Sequence, residues 1–295
     1  MYAFFEVIMK RIFVLFVVLS VALCSCSFSL FQEPETTTTT EYVSPYAVDI
    51  NGQLVPKHED VSESTLDPML FDFDENGRAI YKDDGQKILT GIDVSVFQGY
   101  IDWNAVAEDG IDFVMLRVGY RGYGEKGIMG IDDRFYQNYD GAVAAGLDVG
   151  VYFYSQALNA EEAVEEAQFV LETLGELDLS YPVAYDWEHV DDEAARTKDM
   201  TNDKITECAI AFCEEIEKSG RKAIIYFNCE IGYFEYNLKK VESFDFWLAE
   251  YEKYPSFVYD YKMWQYTDKG SVNGINGDVD LNISTVDYSV QGDFG

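Results

Sequence analysis

From about Lys87 to the end of the chain, short apolar runs of strand composition recur eight times, and helical apolar spacing fills the gaps after the first five. This alternation constrains the fold most. Parallel strands can be joined only by crossovers long enough to return to the same sheet edge, and amphipathic helices usually supply them. The spacing predicts strands at Thr90–Val96, Asp112–Val118, Asp148–Tyr154, Pro182–Glu188, Lys222–Asn228, Phe244–Tyr251, Tyr261–Tyr266 and Val279–Ile283. It predicts helices at Trp103–Glu108, Asp133–Ala145, Ala160–Leu174 with Asn159 as N-cap, Asn202–Lys218 and Ile231–Val241. Connections between the last three strands are too short for an ordinary crossover helix. The expected fold class is therefore α/β, a TIM-like barrel of the modified (β/α)5(β)3 type, with some closing strands antiparallel. About 200 residues suffice for one such domain.

What precedes the barrel reads differently. Met9-Lys10-Arg11 supplies a positive start and Ile12–Leu23 an apolar stretch too short for a confident membrane span, which together make an export segment. It runs into Leu23-Cys24-Ser25-Cys26, the pattern of a bacterial lipoprotein signal with Cys26 as lipid acceptor, since Cys24 follows the bulky Leu23. Ordinary cleavage without lipid is the alternative. Glu33–Glu41 contains five consecutive threonines and reads as a tether. The expected organisation is residues 1–26 as signal, 27–87 as tether and irregular lead-in, and 88–295 as the barrel. The acidic turns near Phe71–Gly77 and Tyr81–Gly85 suit a short hairpin and lack the twelve-residue spacing of a calcium loop.

The formal net charge of -33 argues against nucleic acid and against direct adsorption on anionic lipid, so membrane association is expected only through a lipid anchor. Removing residues 1–25 takes away only Lys10, Arg11 and Glu6, so the acidity belongs to the exported part. Cys208, Cys213 and Cys229 read as small buried hydrophobes. With 2 histidines, His58 and His189, a three-histidine metal site is excluded. No metal, organic cofactor or obligate protein partner is expected.

Carboxylates recur where barrel strands end. Tyr185-Asp186-Trp187-Glu188 puts two acids one residue apart, on one face of an extended strand with Cα atoms roughly 6.6 Å apart. Two such groups repel when both are ionised, so one tends to keep its proton near neutral pH. Asp93 lies in the first strand, and Asp278 and Asp280 lie in or beside the eighth, which meets the first when a barrel closes. Tyr152, Tyr154, Trp187, Tyr226, Trp247, Trp264 and Tyr266 cluster toward the same rim. Aromatic faces beside acids suit a sugar chain, whose rings present C–H surfaces and whose hydroxyls need partners.

The chain resembles glycoside hydrolase family 25, the muramidases or cellosyl-type lysozymes, over roughly Gly91 to Ser284. The resemblance rests on Gly91-Ile-Asp93-Val-Ser95-Val-Phe97-Gln98-Gly99 followed by Ile101-Asp102-Trp103, on Phe113–Tyr120 and Gly150–Tyr154, on Tyr185–Glu188, and on Trp264-Gln265-Tyr266 with Val279–Asn282. It implies cleavage of the β-1,4 bond between N-acetylmuramic acid and N-acetylglucosamine in peptidoglycan. Glu188 matches the proton donor and Asp186 the carboxylate assisting the anomeric centre. Asp93 and Asp280 match the other two acids, while Tyr152, Tyr154, Trp264 and Gln265 are candidates to line the substrate. The alternatives are a lipid-tethered glycan-binding module on an inactive barrel, and a hydrolase of another N-acetylhexosamine polymer such as chitin.

Overall fold

The computed structural model describes residues 44–49 and 51–290; the export segment, Cys26 and the threonine tract lie outside the described residues. Two antiparallel hairpins come first, β1 (Tyr46–Val48) with β2 (Leu54–Pro56) and β3 (Phe71–Phe73) with β4 (Ala79–Tyr81). In the second turn, Asp74 Oδ1 accepts from the backbone N–H groups of Asn76 and Arg78, both at 2.8 Å. That carboxylate is thus engaged in closing the hairpin.

Eight further strands close on themselves. They are β5 (Leu89–Val94), β6 (Phe113–Arg121), β8 (Asp148–Ser155), β9 (Val183–Trp187), β10 (Ala223–Asn228), β11 (Asp245–Ala249), β12 (Met263–Gly270) and β13 (Val279–Ser284). All neighbours are parallel except at β13, which is antiparallel to both β12 and β5. A short outer strand, β7 (Met129–Ile131), pairs with the far end of β6. The barrel is thus of the modified kind, with its reversed strand at the closure.

The helices α1 (Trp103–Glu108), α2 (Phe135–Ala144), α3 (Ala160–Leu174) and α4 (Asn202–Lys218) cover the outside. Asn159 caps α3 by accepting from Glu162 N at 2.9 Å, satisfying one of the free N–H groups of the first turn. Ala163, Ala167, Val170 and Leu174 on α3, with Ile205, Ala209, Phe212 and Ile216 on α4, form buried stripes at helical spacing. The single helix expected over Ile231–Val241 is two, α5 (Cys229–Phe234) and α6 (Leu238–Val241). Between them Tyr236 turns inward against Phe227, with ring centroids 5.6 Å apart, and Asn237 N donates to Thr206 Oγ1 at 3.0 Å. Burying that ring draws the chain out of helical register.

Inside the barrel, below the strand ends, Phe113 stacks on Tyr181 at 4.4 Å. This packing depends on Gly91, since a Cβ there would collide with the Phe113 ring. Cys208, Cys213 and Cys229 are free and buried. No helix among the described residues is long and apolar enough to cross a membrane.

Candidate active site

Side chains alternate faces along a strand, so the second-to-last residues of β5 and β9, Asp93 and Asp186, point inward at the same end of the barrel. Because β13 runs the other way, its beginning lies at that end, and Asp280 is the Cα partner of Asp93. Glu188 follows one residue after β9 ends. These four acids line one cavity of about 300 Å³ together with Tyr152, Tyr154 and Gln265. Asp278, which alternation would put on the same face as Asp280, is instead exposed, 3.7 Å from Lys269 Nζ.

Amides hold the innermost acid. Asp93 Oδ2 accepts from Gln265 Nε2 at 2.7 Å and from Asn282 Nδ2 at 2.8 Å. The amides are themselves fixed: Tyr226 and Tyr251 donate their hydroxyls to Gln265 Oε1 at 3.0 and 2.8 Å, and Trp247 Nε1 donates to Asn282 Oδ1 at 2.8 Å. A carboxylate held this way cannot swing, and both amides must present N–H groups to it.

Among the described residues, Arg117 is the only cation lining the cavity, and it is already paired with Asp132, 2.7 Å from Oδ2. Nothing else neutralises the four acids, and their affinity for protons rises accordingly. Burial, with the Asp280 charge beside it, pushes Asp93 up to about 8 despite the two amide bonds. Burial and then Glu188 and Asp93 hold Asp186 well above the usual carboxylate range. Burial also raises Glu188, and burial with Asp268 raises Asp280 to about 6. Asp186 is 5% exposed and its Oδ1 has no hydrogen-bond partner among the described residues, whereas Glu188 is half-buried toward the opening. The pair therefore titrates as a unit, sharing its protons. No three of His, Cys, Asp or Glu among the described residues are disposed to hold a metal ion.

One expected lining residue is not brought there. Trp264 is fully buried outside the lumen, donating Nε1–H to Glu250 O at 2.8 Å and meeting Phe71 at 4.9 Å between ring centroids. Gln265 takes the inner face, and period-two alternation sends its neighbour out. Trp187 is also fully buried and absent from the cavity lining, and Tyr266 packs on Phe73 rather than over the acids. Conversely, Phe97, Arg117 and Tyr251 line the cavity without having been singled out as site residues. Arg117 carried a readable signal, since a charge inside the apolar run Phe113–Val118 needs a carboxylate partner. Its guanidinium lies under the Phe97 ring, 4.9 Å from the centroid.

The sequence model of Glycosyl hydrolases family 25 matches residues 92–275. The autolytic lysozyme of Clostridium acetobutylicum is 31% identical over 196 residues, 66% of this chain and 55% of that protein. Lysozyme M1 of Streptomyces globisporus is 28% identical over 206 residues, 66% of this chain and 67% of that protein. The chain thus spans little more than half the length of the first of these relatives. Among solved structures, the modular autolysin LytC from Streptococcus pneumoniae, in complex with a synthetic peptidoglycan ligand, superposes with a TM-score of 0.57 at 23% identity, covering 81% of this chain and 56% of that one. That likeness bears on the fold, while the matched family region contains Asp93, Asp186 and Glu188 and extends to within five residues of Asp280. The chain belongs to family 25 of the glycosyl hydrolases.

Proposed function

We propose that this chain is a peptidoglycan hydrolase of the lysozyme type, cleaving the β-1,4 bond between N-acetylmuramic acid and N-acetylglucosamine. The observation that carries the reading is the convergence of Asp93, Asp186, Glu188 and Asp280 in one cavity where the one lining cation among the described residues, Arg117, is already paired. The named lysozymes among the relatives supply the substrate class.

The reaction needs a proton on the leaving oxygen and negative charge near an oxocarbenium-like centre. Glu188 is the donor, because it is the member of the pair nearer the opening while its pKa is raised. Asp186 assists the anomeric centre, orienting the substrate's own acetamido group so that its carbonyl oxygen attacks. Asp280 adds negative potential beside Glu188 and so helps keep the shared proton bound, while Asp93 is itself held toward its protonated form. Tyr152, Tyr154 and Gln265 position the sugar.

Glu188→Gln keeps the shape but removes the proton, so hydrolysis should fall by at least about 10²-fold while the fold and glycan binding persist. Mass spectrometry of muropeptides released from peptidoglycan checks this, and near-wild-type turnover would remove Glu188 from the role. Digestion of chitin but not of peptidoglycan would favour another N-acetylhexosamine polymer. The export motif supports a chain tethered at the cell envelope by diacylated Cys26, since two acyl chains anchor stably where one binds marginally. Cys26→Ala should move the protein from the membrane to the soluble fraction, and an unchanged membrane fraction would sink the anchor.

A further inference from the structure

Phe97 is 81% exposed, more than any other large apolar side chain among the described residues, and it stands on the wall of the acid-lined cavity. A phenyl ring left in water forgoes favourable burial. The helical turn that carries it, Val96–Gln98, does not need a ring to close, since polar groups close it: Phe97 N donates to Ser95 Oγ at 3.3 Å and Ser95 N to Gln98 Oε1 at 2.8 Å. The ring is therefore presented outward without serving the local fold.

It is nevertheless held in place from behind. The Arg117 guanidinium lies 4.9 Å from the Phe97 ring centroid and 5.7 Å from that of Tyr120. The buried Asp132 anchors both members of the stack, its Oδ2 accepting from Arg117 Nε at 2.8 Å and from Val96 N at 3.0 Å. Its Oδ1 accepts from Arg134 N at 3.0 Å, which ties the carboxylate to the chain beyond β7. One face of the ring is thus backed by a fixed cation, and the exposure belongs to the other face. Tyr120, 39% exposed, extends the same surface beyond the cavity, which it does not line.

At about 300 Å³ the cavity is at the small end for a ligand site, so a glycan strand engaged there must continue over its rim. A fixed flat ring on that rim matches the C–H face of a pyranose, whose hydroxyls and acetamido group then remain free for water and for the polar walls. We propose that the outward face of Phe97 is a glycan subsite, stacking an N-acetylhexosamine ring of the strand next to the sugars held among the acids, with Arg117 and Asp132 as positioning residues that keep the shelf flat. The proposal rests on the reading of the chain as a peptidoglycan hydrolase.

The test measures kcat and KM of the full chain on soluble, peptide-free peptidoglycan strands. Phe97→Leu keeps an apolar side chain at this exposed position and loses the flat ring, so KM should rise about 5- to 10-fold with kcat nearly unchanged, as when binding is lost equally from ground and transition states. Phe97→Tyr returns the ring and should return KM to the wild-type value. Arg117→Lys keeps the charge but not the planar guanidinium, so it should also raise KM, and should add nothing further in the Phe97→Leu background. A wild-type KM in Phe97→Leu, or a raised KM that Phe97→Tyr does not restore, would overturn the subsite, and additive effects of the two substitutions would remove Arg117 from the positioning role. If wild type hydrolyses no strand, the hydrolase reading fails separately. Calorimetry with a peptide-free tetrasaccharide of alternating N-acetylglucosamine and N-acetylmuramic acid then still decides: weaker binding by Phe97→Leu than by wild type supports the shelf, and equal binding by the two, or none by wild type, overturns it.

Discussion

Two buried acids in this molecule meet opposite surroundings. Glu166 on α3 is fully buried and has a cation: Arg121 Nε lies 2.7 Å from Oε1, while Ser155 Oγ donates to Oε2 at 2.5 Å. The same guanidinium reaches Gly127 O and Glu162 O, so the pair braces the ends of β6 and β8 against α3. Asp93 is also buried, at 6% exposure, but receives only amide hydrogens from Gln265 and Asn282. Burial raises both, Glu166 to about 7 and Asp93 to about 8. The contrast teaches that one buried acid braces the scaffold through an arginine, whereas the other, which we propose serves the chemistry, has only a proton to neutralise it.

The largest effect should come from breaking the brace. Arg121→Met leaves Glu166 and two backbone carbonyls without donors, and should cost about 3–5 kcal/mol of stability near pH 8. Denaturant titration should show the loss shrinking below about pH 6, as Glu166 takes a proton instead; a pH-independent loss would mean that packing rather than charge dominates. A smaller effect is expected at the other acid. Asp93 has a folded pKa raised to about 8 against an ordinary value of 3.8, so its contribution to stability is full below about pH 4 and is lost as pH rises through about 8. Asp93→Asn should therefore be less stable than wild type at pH 4, by about 1 kcal/mol for the altered hydrogen bonds, and should overtake it by pH 8. Parallel stability curves for the two proteins would show that Asp93 is not protonated in the folded state.

Much of this was legible in the sequence, and for a definable reason. Apolar periodicity located the eight barrel strands and placed α3 and α4 residue for residue, because long amphipathic patterns, the first with Asn159 at its start, leave little freedom. The inward direction of Asp93, Asp186 and Tyr152 follows from alternation and closure. The same rule should have excluded Trp264, which cannot share the inner face with Gln265. Less visible was anything depending on an interruption of regularity. A bulge shifts the β6–β8 register between Arg117 and Gly119, and the outer strand β7 grows from Gly119–Arg121, where a glycine-rich stretch reads as loop. The partner of Arg117, Asp132, lies beyond that excursion, and Tyr251 enters the site from a loop whose path is set by the lead-in packed against it. These are tertiary consequences with no local pattern.

The central claim is that the cation-free acids form one proton-holding unit that serves Glu188. The most direct test is the pH dependence of kcat/KM for wild type and Asp186→Asn on peptidoglycan. In wild type the alkaline limb marks loss of the last proton shared by Asp186 and Glu188, held up by burial and by their mutual repulsion. With an amide at position 186 the repulsion is gone, so the limb should move to lower pH as the maximal rate falls. An alkaline limb that stays at its wild-type position in a folded Asp186→Asn protein would contradict the account.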